Sequence, residues 1–180
     1  PKNVCVIEAD EYDRSFLILY PDIAIIIAMD ADHLDIYGTA EAMEEAFISF
    51  SGKIRKDGIL IRQFGLKRGR ELKGDQQVTY SLQNESAVSY ASNIRMIQGG
   101  YEYDVVIGEE RIENIRLNMG GMHNVENTVA AITVASSLGI DQEKIRSAVE
   151  SFRGVKRRFE YLIKNERLVF IDDYAHHPEE

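Results

Sequence analysis

One cysteine, Cys5, in 180 residues excludes an internal disulfide, and its place in an apolar run fits a reducing cytoplasm. No stretch reaches the roughly 18 consecutive apolar residues of a membrane helix, and no secretory signal is visible, so neither membrane insertion nor export is expected. Basic residues are scarce: 21 Lys plus Arg against 30 Asp plus Glu, a net charge of −9, which argues against general nucleic-acid binding. Internal repeats and low-complexity tracts are absent. So is any G-x-x-x-x-G-K-[ST] run, the loop that cradles phosphates in many nucleotide-binding proteins. The chain opens on Pro1 rather than Met and stops just after a segment of acids and histidines, so a piece of a longer protein is expected.

What is present suits one domain, or one domain with a small insert. Hydrophobic residues make up 44% of the chain, enough for a core that hides roughly 70% of the unfolded surface at this size. Near-continuous apolar runs at 4–9 and 22–29 predict strands buried on both faces. Thr39 is placed to cap a helix over 39–51, in which Met43, Ala46, Phe47 and Phe50 share a face. Gly58-Ile59-Leu60-Ile61 predicts another strand. Between about 62 and 119 the character changes to short strands with hairpin punctuation, at 94–97, 101–107 and 112–117, which predicts an antiparallel subsheet. The basic run at 67–70 within it reads as a solvated loop. Two helices follow. Gly120-Gly121 opens the first, with Val125, Val129 and Ile132 on one stripe. Asp141 caps the second, whose apolar face is Ile145, Ala148, Val149 and Phe152. Strands at 159–163 and 168–171 close the chain. The fold class expected is α/β: a mostly parallel sheet flanked by helices, with a small antiparallel subsheet.

Three of the apolar runs end in acids. Val4-Cys5-Val6-Ile7 leads into Glu8-Ala9-Asp10-Glu11, and the run from Ile23 leads into Asp30-Ala31-Asp32-His33. Leu168-Val169-Phe170-Ile171 leads into Asp172-Asp173-Tyr174-Ala175-His176-His177-Pro178. In open parallel sheets ligands bind at the carboxyl ends of the strands, so these acids are expected to converge on a site. Glu8 and His33 together suit a Mg2+ ion, which takes hard oxygen ligands and keeps several waters; the plain alternative is a helix cap and a surface histidine. Gly120-Gly121-Met122-His123-Asn124-Val125-Glu126-Asn127 is a second constellation. Its glycines allow a close backbone approach, His123 can stack on a base, and the amides of Asn124 and Asn127 have the donors and acceptors that adenine requires. An ordinary Asn cap is the alternative there. The third is Gly154-Val155-Lys156-Arg157-Arg158-Phe159-Glu160, whose guanidinium fork matches phosphate oxygens. All four histidines fall within these motifs.

The order and spacing of these motifs along the whole chain resemble the Mur ligases, the ATP-dependent amide ligases of peptidoglycan synthesis. The resemblance implies the P-loop-NTPase-like central ATP-binding domain of a three-domain enzyme, here residues 1–172, with 173–180 the hinge into a further domain. It implies ATP and Mg2+ as cofactors, and UDP-N-acetylmuramate and L-alanine as the substrates joined through an acyl phosphate, in the cytoplasm. By resemblance Glu8 and His33 hold the metal, His123, Asn124 and Asn127 contact adenine, and Arg158 binds phosphate. Asp173 contacts the nucleotide or its metal, and His176 approaches the reacting phosphate. The chain departs from the family in having Ile27-Ala28 where Thr-Asn is frequent, and it has no lysine between His33 and Lys53. Other readings stand beside this one: a relative that recycles murein tripeptide, a metal-dependent hydrolase built on the strand-end acids and histidines, and a module that only binds nucleotide.

Overall fold

Leu60 and Ile61 are neighbours on one strand, and both are sealed from solvent in different clusters. A strand with no polar side needs cover on both faces, and the fold supplies it. The computed structural model describes residues 3–30 and 33–174. Its main sheet has six strands in chain order: β1 (Ile23–Ile26), β2 (Ile59–Gln63), β3 (Gln76–Ser81), β4 (Ser89–Ile97), β5 (Gly100–Ile107) and β6 (Glu110–Leu117). The pairings β1–β2, β2–β3 and β3–β4 are parallel; β4–β5 and β5–β6 are antiparallel. The α/β fold with a mostly parallel sheet and an antiparallel subsheet is therefore the one observed. Its two parts are continuous, joined through Tyr80↔Ser89 and Ser81↔Tyr90.

Between β1 and β2 come a single turn, α1 (Leu34–Tyr37), and α2 (Ala40–Ser51). The side chain of Thr39 accepts from the Ala42 N–H, capping α2 as expected, and Met43 and Phe50 are buried. On that face Ile48 and Phe50 pack with Phe16, Ala24, Ile26, Met29, Leu60 and Leu72. The opposite face is covered by α3 (Met122–Ser137), whose Val125, Val129 and Ile132 meet Ile61, Tyr80, Tyr103, Val105 and Ile115. Each such side chain contributes on the order of 1.5–3 kcal/mol. After α3, Asp141 caps α4 (Gln142–Ser151) through the Glu143 N–H. Ile145 buries there, whereas Ala148 and Phe152 stay exposed, so the apolar face of α4 is narrower than its periodicity predicts. No helix among the described residues is long and apolar enough to cross a membrane.

Several expectations are corrected. Residues 4–9 are not a strand: Val4, Val6 and Ile7 are 52%, 90% and 59% exposed. An apolar run becomes a buried strand only where a neighbour pairs with it and layers cover it, and among the described residues β1 pairs only with β2. For the same reason Ile25 and Ile27, near the outer edge of β1, are exposed. Among the described residues the final strands, β7 (Glu160–Lys164) and β8 (Val169–Asp172), pair only with each other, and Val169 and Phe170 are more than half exposed. Asp172 and Asp173 thus do not end a strand of the main sheet. Within 62–119, β3 joins the parallel half of the sheet. The run at 67–70 is no simple solvated loop, because it neutralises a buried acid.

Candidate functional site

Because β1, β2 and β3 run parallel, their carboxyl ends share one edge, which Met29-Asp30, Gln63 and Leu82 leave in turn. The first turns of α3 are tied to that edge by Glu126. Its Oε1 accepts from the Leu82 N–H at 3.1 Å and from Gln63 Nε2 at 3.4 Å. The sequence reading passed over Glu126. The signal was available: it lies three and four residues before the buried Val129 and Ala130, on a stripe where an acid needs a partner.

At the mouth of α3 the backbone turns through Gly121 at φ 85°, with the His123 ring folded back over it. That positive φ favours glycine, and a Cβ at Gly121 would also press on the His123 ring, 2.5 Å from its Cε1. Asn124 donates from Nδ2 to the Gly120 carbonyl at 2.7 Å, and Thr128 donates to the Asn124 carbonyl at 2.6 Å. Asn124 therefore braces the mouth as well as lining it. His123 and Asn127 are exposed on the next part of the helix.

The basic turn meets this mouth. The Phe159 N–H donates to Oδ2 of Asp173 at 3.0 Å, and the Tyr174 N–H donates to the Arg157 carbonyl at 2.7 Å. Asp173 thereby joins the end of β8 to the turn that carries Arg158, which is exposed. Phe159 and Tyr161 lie over Gly120, and Tyr161 Oη donates to the Gly99 carbonyl at 3.1 Å. The fold therefore brings the turn that carries Arg158, with Asp173 bonded to it, against Gly120 just before α3. A guanidinium next to a helix N-terminus is a setting for an anion such as phosphate.

The other constellation forms around α1. His33 adopts φ 51° at its N-terminus, with Nε2 3.4 Å from Oε1 of Glu11 and the Tyr12 ring edge-on at 5.0 Å. Tyr37 Oη donates to the Glu11 carbonyl at 2.6 Å, and burial raises the Tyr37 pKa. The carboxylate that meets His33 is thus Glu11, while Glu8 lies exposed three residues earlier. Among the described residues no three His, Cys, Asp or Glu side chains gather around a common point. Asp32 and His176 lie outside the described residues.

Beside Asp30 a pocket of about 130 Å3 is lined by Met29, Asp30, Ala40, Glu44, Leu66 and Lys67. Glu44, on the inner face of α2, is buried; Lys67 Nζ lies 2.8 Å and Arg68 Nη1 3.4 Å from its carboxylate. Arg68 also bridges Glu45 and Glu71. The hydrogen bond from Lys67 holds the Glu44 carboxyl below the ordinary glutamate range. This clamp joins α2 to the loop after β2, and the helical spacing of α2 alone could not reveal its distant partners.

Residues 2–135 match the family described as the Mur ligase middle domain. The chain is 45% identical over 179 residues to the UDP-N-acetylmuramate–L-alanine ligase of Flavobacterium johnsoniae, covering 99% of this chain and 38% of that protein. The enzyme of the same name from Parabacteroides distasonis is 45% identical over 97% of the chain and 38% of its own length. The crystal structure of UDP-N-acetylmuramate–alanine ligase from Thermotoga maritima superposes with a TM-score of 0.78 at 28% identity, covering 95% of this chain and 39% of that one. The chain spans about 38% of the length of the curated relatives it matches.

Proposed function

This chain belongs to the Mur ligase family, and on that premise we propose that it is the nucleotide-binding part of an enzyme joining L-alanine to UDP-N-acetylmuramate with ATP. The observation that carries this is likeness along nearly the whole chain to ligases of that name. The seating of the basic turn, which carries Arg158 and is bonded to Asp173, on the glycine-rich start of α3 supports a nucleotide site on this chain. In this reading His123, Asn124 and Asn127 hold the adenine, and Arg158 neutralises phosphate oxygens. By family resemblance, residues 173–180 are assigned to a hinge and His176 to the reacting phosphate. An exposed, unpaired Cys5 agrees with a cytoplasmic enzyme.

A Mg2+ bound mainly by phosphate and water needs only one or two protein groups, and the Glu11 carboxylate beside the His33 imidazole, with Glu8 three residues earlier in the chain, makes a donor set that fits. Glu8 and His33 are assigned to it; when bound, the ion spreads the charge of the transferring phosphoryl group. The muramate carboxylate takes the γ-phosphoryl group of ATP to become an acyl phosphate, and ADP leaves. The alanine amine then attacks the acyl carbon and phosphate leaves. The chain's own residues contribute position and positive charge.

The test is phosphate release by the full-length enzyme with ATP, Mg2+ and UDP-N-acetylmuramate, offering L-alanine and, separately, murein tripeptide. Release that depends on L-alanine is expected. Dependence on the tripeptide alone would move the protein to the recycling branch.

A further inference from the structure

We propose that Phe159, seated on Gly120, is a positioning residue: it sets Arg158 and Asp173 against the start of α3 and so governs how tightly the nucleotide is held. The proposal rests on the nucleotide reading above, and the experiment separates the two.

The junction between β6 and α3 is gripped at both ends of the basic turn. At one end the Met119 side chain packs beneath Gly154, with its sulfur 3.3 Å from where a Cβ would stand. At the other, a Cβ on Gly120 would fall 2.3 Å from Cε1 of Phe159 and 2.9 Å from Oη of Tyr161. No side chain fits at 120 while the ring is in place. The ring itself is steadied edge-to-face by Tyr161, with centroids 5.7 Å apart, and Tyr161 is anchored on the Gly99 carbonyl at 3.1 Å.

The backbone around the ring is strained. Arg157 and Phe159 both adopt left-handed conformations, φ 60° and 50°, on either side of Arg158. A bulky residue there is costly and persists only where its surroundings impose it. Here the imposing contacts are the Asp173 carboxylate on the Phe159 N–H, the Glu160 carboxylate on the Arg157 N–H at 2.9 Å, and the ring on Gly120. Among the described residues the ribbon β7–β8 pairs with no strand of the main sheet, so side-chain seating fixes its place. A shift of the ring moves Arg158 and Asp173 together, being bonded or adjacent to it.

The experiment uses the full-length enzyme and compares Gly120→Ala, Phe159→Ala, the double variant and Arg158→Ala. Gly120→Ala and Phe159→Ala are each expected to raise the KM for ATP about tenfold and to lower kcat less than threefold, because binding is disturbed away from the reacting atoms. The double variant should be no worse than Phe159→Ala, since removing the ring takes away the closest clash and Tyr161 Oη, 2.9 Å from the new methyl, need give way by only a few tenths of an ångström. If Gly120→Ala fails to fold, Phe159→Leu, which keeps an apolar cap, should restore much of the affinity lost in Phe159→Ala. A raised KM in Arg158→Ala with an unchanged one in Phe159→Ala overturns the positioning role alone, as do additive losses in the double variant. An unchanged KM in Arg158→Ala overturns the nucleotide reading and takes the proposal with it.

Discussion

Replacing Glu126 by alanine isolates the tie that holds α3 on the sheet edge. The variant loses an acceptor for the Leu82 N–H at 3.1 Å and a weaker contact to Gln63 Nε2 at 3.4 Å. A hydrogen bond to a charged group contributes about 1.5–3 kcal/mol. Leu82 is only half-buried, so water can reach part of the freed N–H. That keeps the loss near the low end, about 1.5–2.5 kcal/mol. For a domain of this size each kcal/mol moves the melting temperature by roughly 2–4 °C, so a drop of about 3–10 °C is expected. Glu126→Gln keeps an acceptor at the same place and should cost less than about 1 kcal/mol. Thermal melts of the 180-residue chain give the size of the effect, and amide exchange at Leu82 gives its location. A melt within about 1 °C of the parent, with Leu82 exchange unchanged in Glu126→Ala, would show that something else seats the helix.

Asn127→Ala should raise the KM for ATP more than it lowers kcat, because a base contact far from the reacting phosphate holds ground and transition states alike; steady-state kinetics with the reverse pattern would move Asn127 to the reaction centre. Glu8→Ala or His33→Ala should slow turnover by about tenfold or more, most visibly at limiting Mg2+; wild-type rates across a Mg2+ titration would remove both residues from the metal site. The Glu44 carboxyl, bonded by Lys67, and the Glu102 carboxyl, bonded by Arg116, are both held below the ordinary glutamate range. Their stabilisation is therefore full above that range and is lost as pH falls through their lowered values. In acid titrations followed by circular dichroism, Glu44→Gln should flatten this dependence, and an unchanged acid limb would count against the clamp.

Much of the helical framework is legible in the chain because its signals are local. Thr39 and Asp141 cap the helices that follow them, and Val125, Val129 and Ile132 mark the buried stripe of α3. Gly58-Ile59-Leu60-Ile61 announces a strand, and β2 forms there with Leu60 and Ile61 sealed from solvent. Identical reasoning fails for Val4-Cys5-Val6-Ile7, since an apolar run says that cover is wanted, not that it is there. β3 escapes notice because Gln76-Gln77-Val78-Thr79-Tyr80-Ser81 carries few apolar residues; its place between β2 and β4 comes from pairing. Motif reading located the start of α3 and the basic turn, whereas their meeting over Gly120 depends on contacts distant in sequence. The partners of Glu44 and Glu126 are hidden for that reason too: each acid finds them across the fold.

The outer edge of β1 has a consequence for handling the molecule. Among the described residues no strand pairs with that edge, so the backbone beside exposed Ile25 and Ile27 makes a template on which another extended chain can hydrogen-bond. Self-association at high concentration would start there, strand against strand, and grow with temperature as apolar contact strengthens. A single charge at position 25 is the smallest change that discourages it, because a lysine side chain at a sheet edge disfavours burial under an added strand.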